Sequence, residues 1–106
     1  MRLSNISDFK AGWFIGDFEP SLFRSPHFEV AHHFYAKGVK STPHLHKLAT
    51  EYNYIVNGSV KVLDKALGRG DVFIYEPSDV CDVEYLEDTD LLIIKSPSIP
   101  GDKYEV

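Results

Sequence analysis

The chain has a single cysteine, Cys81. One thiol cannot close an internal disulfide, so a secreted disulfide scaffold is excluded. No apolar run approaches the length of a membrane span, and the opening "MRLSNISDFK" lacks the apolar centre of a signal peptide. The expected location is cytoplasmic, with no membrane partner. Basic residues are few and scattered: Lys and Arg number 11 against 16 Asp and Glu, a net charge of −5. A nucleic-acid footprint needs Lys and Arg clustered on one surface, and none is present. Aromatic residues without basic neighbours make no groove for single strands. Internal repeats, low-complexity tracts and linkers are absent. So are the G-x-S-x-G elbow and the Walker loop. "LGRGD" is a turn and not a phosphate loop, because no helix N-terminus follows it.

What is present reads as one domain spanning 1–106. A core of this size is modest, and a metal ion or a second subunit would help stabilise it. Seven Phe, six Tyr and one Trp supply bulk for it. Glycine and proline recur at short intervals, which leaves little space for long helices. Between them lie "GWFIGDF", "HFEVAHHFY", "EYNYIVNG", "SVKVLD", "DVFIYE", "DVEYL" and "DLLIIK", each rich in Val, Ile, Phe or Tyr. Short strands separated by turn signals predict an all-β sandwich or barrel. "SNISDFKAG" can open with a helical turn capped by Ser4 or Ser7. The tail "SPSIPGDKYEV" is too rich in Pro and Gly for a helix and is expected to lie across the body as an extended arm.

The most informative stretch is "HLHKLATE". Alternate side chains of a strand share a face, so His44 and His46 point together with Leu45 opposite. Pro43 suits the start of such a strand. "KLAT" can turn the chain, and Glu51 then heads the next strand with Asn53 and Ile55 on its face. If the two strands are neighbours, one carboxylate meets two imidazoles. Two His and one carboxylate leave open positions on a metal and suit Fe(II), Mn, Ni or Zn. An H-x-H pair alone is weak evidence, since such pairs also occur on exposed strands.

The wider frame is more specific. Gly38, His44, His46, Glu51 and Gly58 fall at the spacing G-x5-H-x-H-x4-E-x6-G. This resembles the first motif of the cupin superfamily. Further on, "GDVFIYEPSDVCDVEYL" resembles a degraded second motif, G-x5-P-x-G-x2-H-x3-N. Gly70 and Pro77 are present with one extra residue between them. Asp79 stands for the glycine, Asp82 for the histidine and Leu86 for the asparagine. The resemblance covers roughly residues 28–95 and implies a double-stranded β-helix, or jelly-roll barrel, holding one divalent metal ion. It implies His44, His46 and Glu51 as ligands and places Asp82 at the fourth position.

Asp82 is an acceptable oxygen ligand but shorter than histidine, so it can reach a metal through water. The strand pattern leaves two readings open. In "VCDVEYL", Cys81, Val83 and Tyr85 form the more apolar alternate set. If that set faces the core, Asp82 and Glu84 are solvated. A polar pocket lining would equally turn both inward.

Other residues have weaker claims. His32 and His33 must face opposite ways; one of them can line the pocket, against the simpler reading as structural histidines. His27 and Arg69 are read as exposed turn residues. Among Tyr52, Tyr54, Tyr75 and Tyr85, Tyr75 is the first to examine for substrate hydrogen bonding, though strand aromatics mostly pack. Cys81 is read as a buried, inert thiol. The function these features imply is a metal-dependent enzyme for a small polar metabolite such as a sugar, of isomerase or epimerase, lyase or dioxygenase type. The alternative is a non-catalytic module for small ligands, carbohydrate included, or for dimerisation. The resemblance and the aromatic load imply a homodimer, with "WFIGDF" and "IIKSPSIPGDKY" as the expected contact segments.

Overall fold

The computed structural model describes residues 1–106. Two short 3-10 turns, Ile6–Asp8 and Lys10–Gly12, precede eleven strands. The first turn is capped as expected in kind but not in residue. Asn5, not Ser4 or Ser7, is the N-cap, accepting from the Ser7 N–H while Asp8 accepts from the Asn5 N–H.

The larger sheet is antiparallel with five strands: β1 (Trp13–Ile15), β2 (Glu29–Tyr35), β10 (Thr89–Ser96), β4 (Thr50–Asn57) and β7 (Val72–Tyr75), in that spatial order. Facing it are two three-stranded sheets. One orders β11 (Tyr104–Glu105), β3 (His44–Leu45) and β8 (Val80–Cys81); the other orders β6 (Lys65–Gly68), β5 (Ser59–Val62) and β9 (Glu84–Tyr85). Ile55, Leu91 and Ile93 of the large sheet pack with Val60, Val62, Cys81 and Tyr85 of the facing sheets in one core cluster. This is the jelly-roll arrangement that the strand pattern and the motif spacing predict.

The strands alternate as their sequences dictate. On β10, Thr89, Leu91 and Ile93 are buried and Ile94 is exposed. On β4, Asn53 and Ile55 are buried while Tyr52, Tyr54 and Val56 are exposed. The inner row of β4 therefore runs Glu51, Asn53, Ile55, from polar to apolar. That gradient divides the interior into a polar end and a greasy end.

The two glycines that frame the first motif both have positive φ, +89° at Gly38 and +103° at Gly58. They differ in surroundings. A Cβ on Gly58 would lie 2.4 Å from Thr89 Oγ1 and 2.5 Å from the Asp88 carbonyl, whereas one on Gly38 would meet nothing within 4 Å. Gly58 is thus required by both backbone and space, and Gly38 by backbone alone.

The tail is the extended arm expected of it, and its end pairs as β11 against β3, Tyr104 opposite Leu45 and Glu105 opposite His44. No helix is long and apolar enough to cross a membrane.

Candidate metal centre

The polar end of the interior is a cavity of about 180 Å³. His44 and His46 enter it from the β3 side, Glu51 from β4 in the opposite sheet, and Cys81 from β8. The sequence reading allowed Glu51 to meet the histidines across neighbouring strands. In the structure β3 pairs with β8 and β11, so Glu51 reaches across the barrel instead, where it approaches His46.

Each imidazole is aimed by a backbone carbonyl. His44 Nδ1 donates to the Thr42 carbonyl at 2.9 Å, and His46 Nδ1 donates to the Asp102 carbonyl. With Nδ1 carrying the proton, Nε2 of each ring holds a free lone pair, the tautomer a metal ligand needs. The rings meet edge to face at 5.2 Å. His46 is 3% exposed. Glu51 Oε1 lies 3.3 Å from its Nε2 but off the direction a ring N–H would take, so Nε2 has no hydrogen-bond partner.

The local electrostatics couple these groups. The Glu51 carboxylate raises the His46 pKa above its ordinary value, against the opposing effect of burial. Burial pushes the Glu51 carboxyl up, but His46 and the Asn53 amide, donating at 3.1 Å, together hold it below the usual range. Burial lowers the His44 pKa, against the opposing effect of its bond to the Thr42 carbonyl. Along the sheet, Glu51 is flanked by Lys95 on β10 and Tyr75 on β7. Lys95 is itself paired with Glu29 at 2.9 Å and stacks over Trp13.

Asp82, assigned to the fourth position by the motif, does not join this group. It is exposed and lines a separate surface cleft with Lys40, Lys61 and Asp64. The apolar set Cys81, Val83 and Tyr85 faces the core, so strand alternation turns Asp82 outward. Its neighbour Cys81 is inside, 2% exposed, directly opposite His44 in the β3–β8 ladder. One donor atom from each of His44, His46 and Cys81 lies within 4.8 Å of the others. Cys81 is buried, as its sequence reading has it, and burial pushes its thiol up to about 12, but it also lines the cavity beside the histidines. The signal was in the sequence. Counted from Gly70 without the extra residue, the histidine position of the second motif falls on Cys81 and the glycine position on Ser78. Ser78 does adopt the left-handed φ, +75°, that the motif's glycine would supply.

Among the remaining candidates, His33 lines the cavity, with Tyr35 hydroxyl bonded to its Nδ1 at 3.0 Å, while His32 pairs with Asp90 at 2.9 Å on the other face of β2. Burial lowers the His33 pKa. Tyr75 and Tyr85 line the cavity; Tyr52 and Tyr54 are on the outer surface. Burial pushes the Tyr75 hydroxyl up to about 12.

Sequence reasoning missed Asp102. It is 4% exposed, and beyond orienting His46 its carboxylate accepts from the N–H groups of Lys47, Leu48 and Ala49 at 3.0–3.1 Å. The arm thus holds the turn that joins the histidines to Glu51.

At the level of sequence, no family model and no curated protein matches the chain. Solved structures do. An RmlC-like cupin from Shewanella frigidimarina NCIMB 400 superposes with TM-score 0.66 at 22% identity, over 71% of this chain and 70% of its own. An uncharacterized conserved protein with a double-stranded β-helix domain from Klebsiella pneumoniae subsp. pneumoniae MGH 78578 gives TM-score 0.73 at 14% identity, over 99% and 91%. The oxalate decarboxylase of Bacillus subtilis, known for its Mn(II) centres, gives 0.66 at 17% identity, and the chain spans about a quarter of that enzyme, 25%. The chain has the cupin fold, a double-stranded β-helix barrel.

Proposed function

We propose that residues 1–106 form one cupin domain acting as a metal-dependent enzyme on a small polar metabolite. His44, His46 and Glu51 would hold the divalent ion, from the set Fe, Mn, Ni or Zn. One observation carries this reading. The buried side-chain nitrogen and oxygen atoms without a partner are His33 Nε2, His46 Nε2 and Tyr75 Oη, and all three residues line the same cavity. An unpartnered buried polar atom costs about 1–3 kcal/mol, so three around one chamber indicate a site built to be filled.

The donor set fits a metal: two imidazoles with Nε2 free, and a carboxylate whose neighbours His46 and Asn53 favour the ionised form against the effect of burial. When bound, the ion would supply Lewis acidity and orient the substrate. The chain's own residues would do the rest. Neutral His33 can exchange a proton at Nε2, Tyr75 Oη can donate to a bound oxygen, and Lys95 with exposed Lys103 favours an anionic or strongly polar group. A chamber of about 180 Å³ is smaller than drug-sized pockets of roughly 300–1,000 Å³. That supports a substrate of few heavy atoms, in isomerase or epimerase, lyase or dioxygenase chemistry. The homodimer also remains a proposal. It is supported by the exposed Tyr52, Tyr54, Val72, Ile74 and Ile94 on the outer face of the large sheet.

Elemental analysis of untagged protein tests the proposal. Near-stoichiometric metal is expected after reconstitution with Fe(II), Mn(II), Ni(II) or Zn(II). Protein that stays metal-free under all four is a non-catalytic ligand-binding module instead.

A further inference from the structure

We propose that Cys81 is a ligand of this centre, bound as a thiolate in the place where the second motif carries its histidine. The inference rests on the metal reading above and deepens it. Three independent features point to it. In the ladder, His44 and Cys81 are direct partners, which sets the sulfur beside the imidazole on the inner face. The donor atoms of His44, His46 and Cys81 lie within 4.8 Å of one another. Two donors on one ion, with bonds of about 2.0–2.3 Å, are separated by roughly 3.3–4.5 Å, so closing the set asks only small side-chain shifts. Third, His46 Nε2 is buried, unpartnered and aimed into the same space.

Charge supports the assignment. Glu51 and a Cys81 thiolate together balance a divalent cation, and both histidines enter neutral. Coordination replaces the S–H bond by a sulfur–metal bond, and the proton leaves to solvent. The thiolate also narrows the metal. A soft sulfur donor beside imidazoles favours zinc or iron(II) over manganese, which suits all-oxygen and nitrogen sites.

Zinc-edge X-ray absorption of the zinc-loaded, untagged chain tests this directly. The expected spectrum contains a zinc–sulfur path near 2.3 Å beside nitrogen and oxygen paths near 2.0–2.1 Å. Cys81→His is expected to retain zinc and lose the sulfur path, which also excludes Met1, the only other sulfur in the chain, as its source. A wild-type spectrum described by nitrogen and oxygen alone overturns the assignment of Cys81 and leaves the His44, His46 and Glu51 site standing. A sulfur path that survives in Cys81→His overturns it equally. Failure of the wild type to retain zinc or any other divalent ion overturns the metal reading itself.

Discussion

Asp102 and His46 lie 56 residues apart in sequence and are joined by a hydrogen bond from the imidazole Nδ1 to the Asp102 carbonyl. The same residue's carboxylate gathers the three N–H groups that follow His46. One residue therefore sets both the ring and the turn that carries it.

Asp102→Asn keeps the shape and removes the charge. Hydrogen bonds to a charged group contribute about 1.5–3 kcal/mol each, so a loss of about that size is expected in urea unfolding at neutral pH. The carbonyl that orients His46 is backbone and survives the substitution, so metal affinity is expected to fall by less than the roughly 10–100-fold seen when an outer partner of a metal ligand is removed. Burial alone would raise the Asp102 pKa, but its three amide donors hold it below the ordinary 3.8. A depressed carboxyl stabilises the fold above its unfolded pKa, and that contribution is lost as pH falls through the folded value. The wild-type advantage over Asp102→Asn should thus be full above about pH 5 and shrink below pH 4; a gap that widens on acidification would contradict the assignment.

Two variants separate the motif's letter from the fold's geometry. His46→Ala is expected to lose bound metal. Asp82→Ala, on the outer surface, is expected to keep wild-type metal content within error. Metal analysis of both after identical reconstitution is sufficient, and equal loss in the two would place Asp82 back among the ligands.

The motif's two glycines should respond unequally to alanine. Gly58→Ala meets Thr89 and the Asp88 carbonyl and is expected to cost about 3 kcal/mol or more. Gly38→Ala pays only for its left-handed backbone, about 1–2 kcal/mol. Chemical denaturation midpoints give the ranking.

Ile74→Glu places a charge in the exposed apolar face of the large sheet. Sedimentation velocity is expected to show a dimer for the wild type and a monomer for the variant, with metal content unchanged. A wild type that is monomeric at tens of micromolar refutes this face as a subunit contact.

Local pattern carried much of the structure. The strands appear where Val, Ile, Phe and Tyr alternate with polar residues, and His44, His46 and Glu51 line one cavity because motif spacing encodes strand phase. The motif points to Asp82 only when its second half is counted onward from Pro77, because the extra residue after Gly70 moves the count by one. Alternation in "VCDVEYL" held the right answer, since a one-residue shift on a strand exchanges faces. Asp102 left no local trace. Its role depends on where the arm docks, and an Asp between Gly and Lys in a tail looks the same whether it is solvated or caps a turn.

The arm also works as a clasp. His46 stands 56 residues before the carbonyl that orients it, and the strand that carries His44 has partners only in β8 and β11. A metal ion held at His46 would therefore meet an oriented ring only where the tail is docked on the barrel.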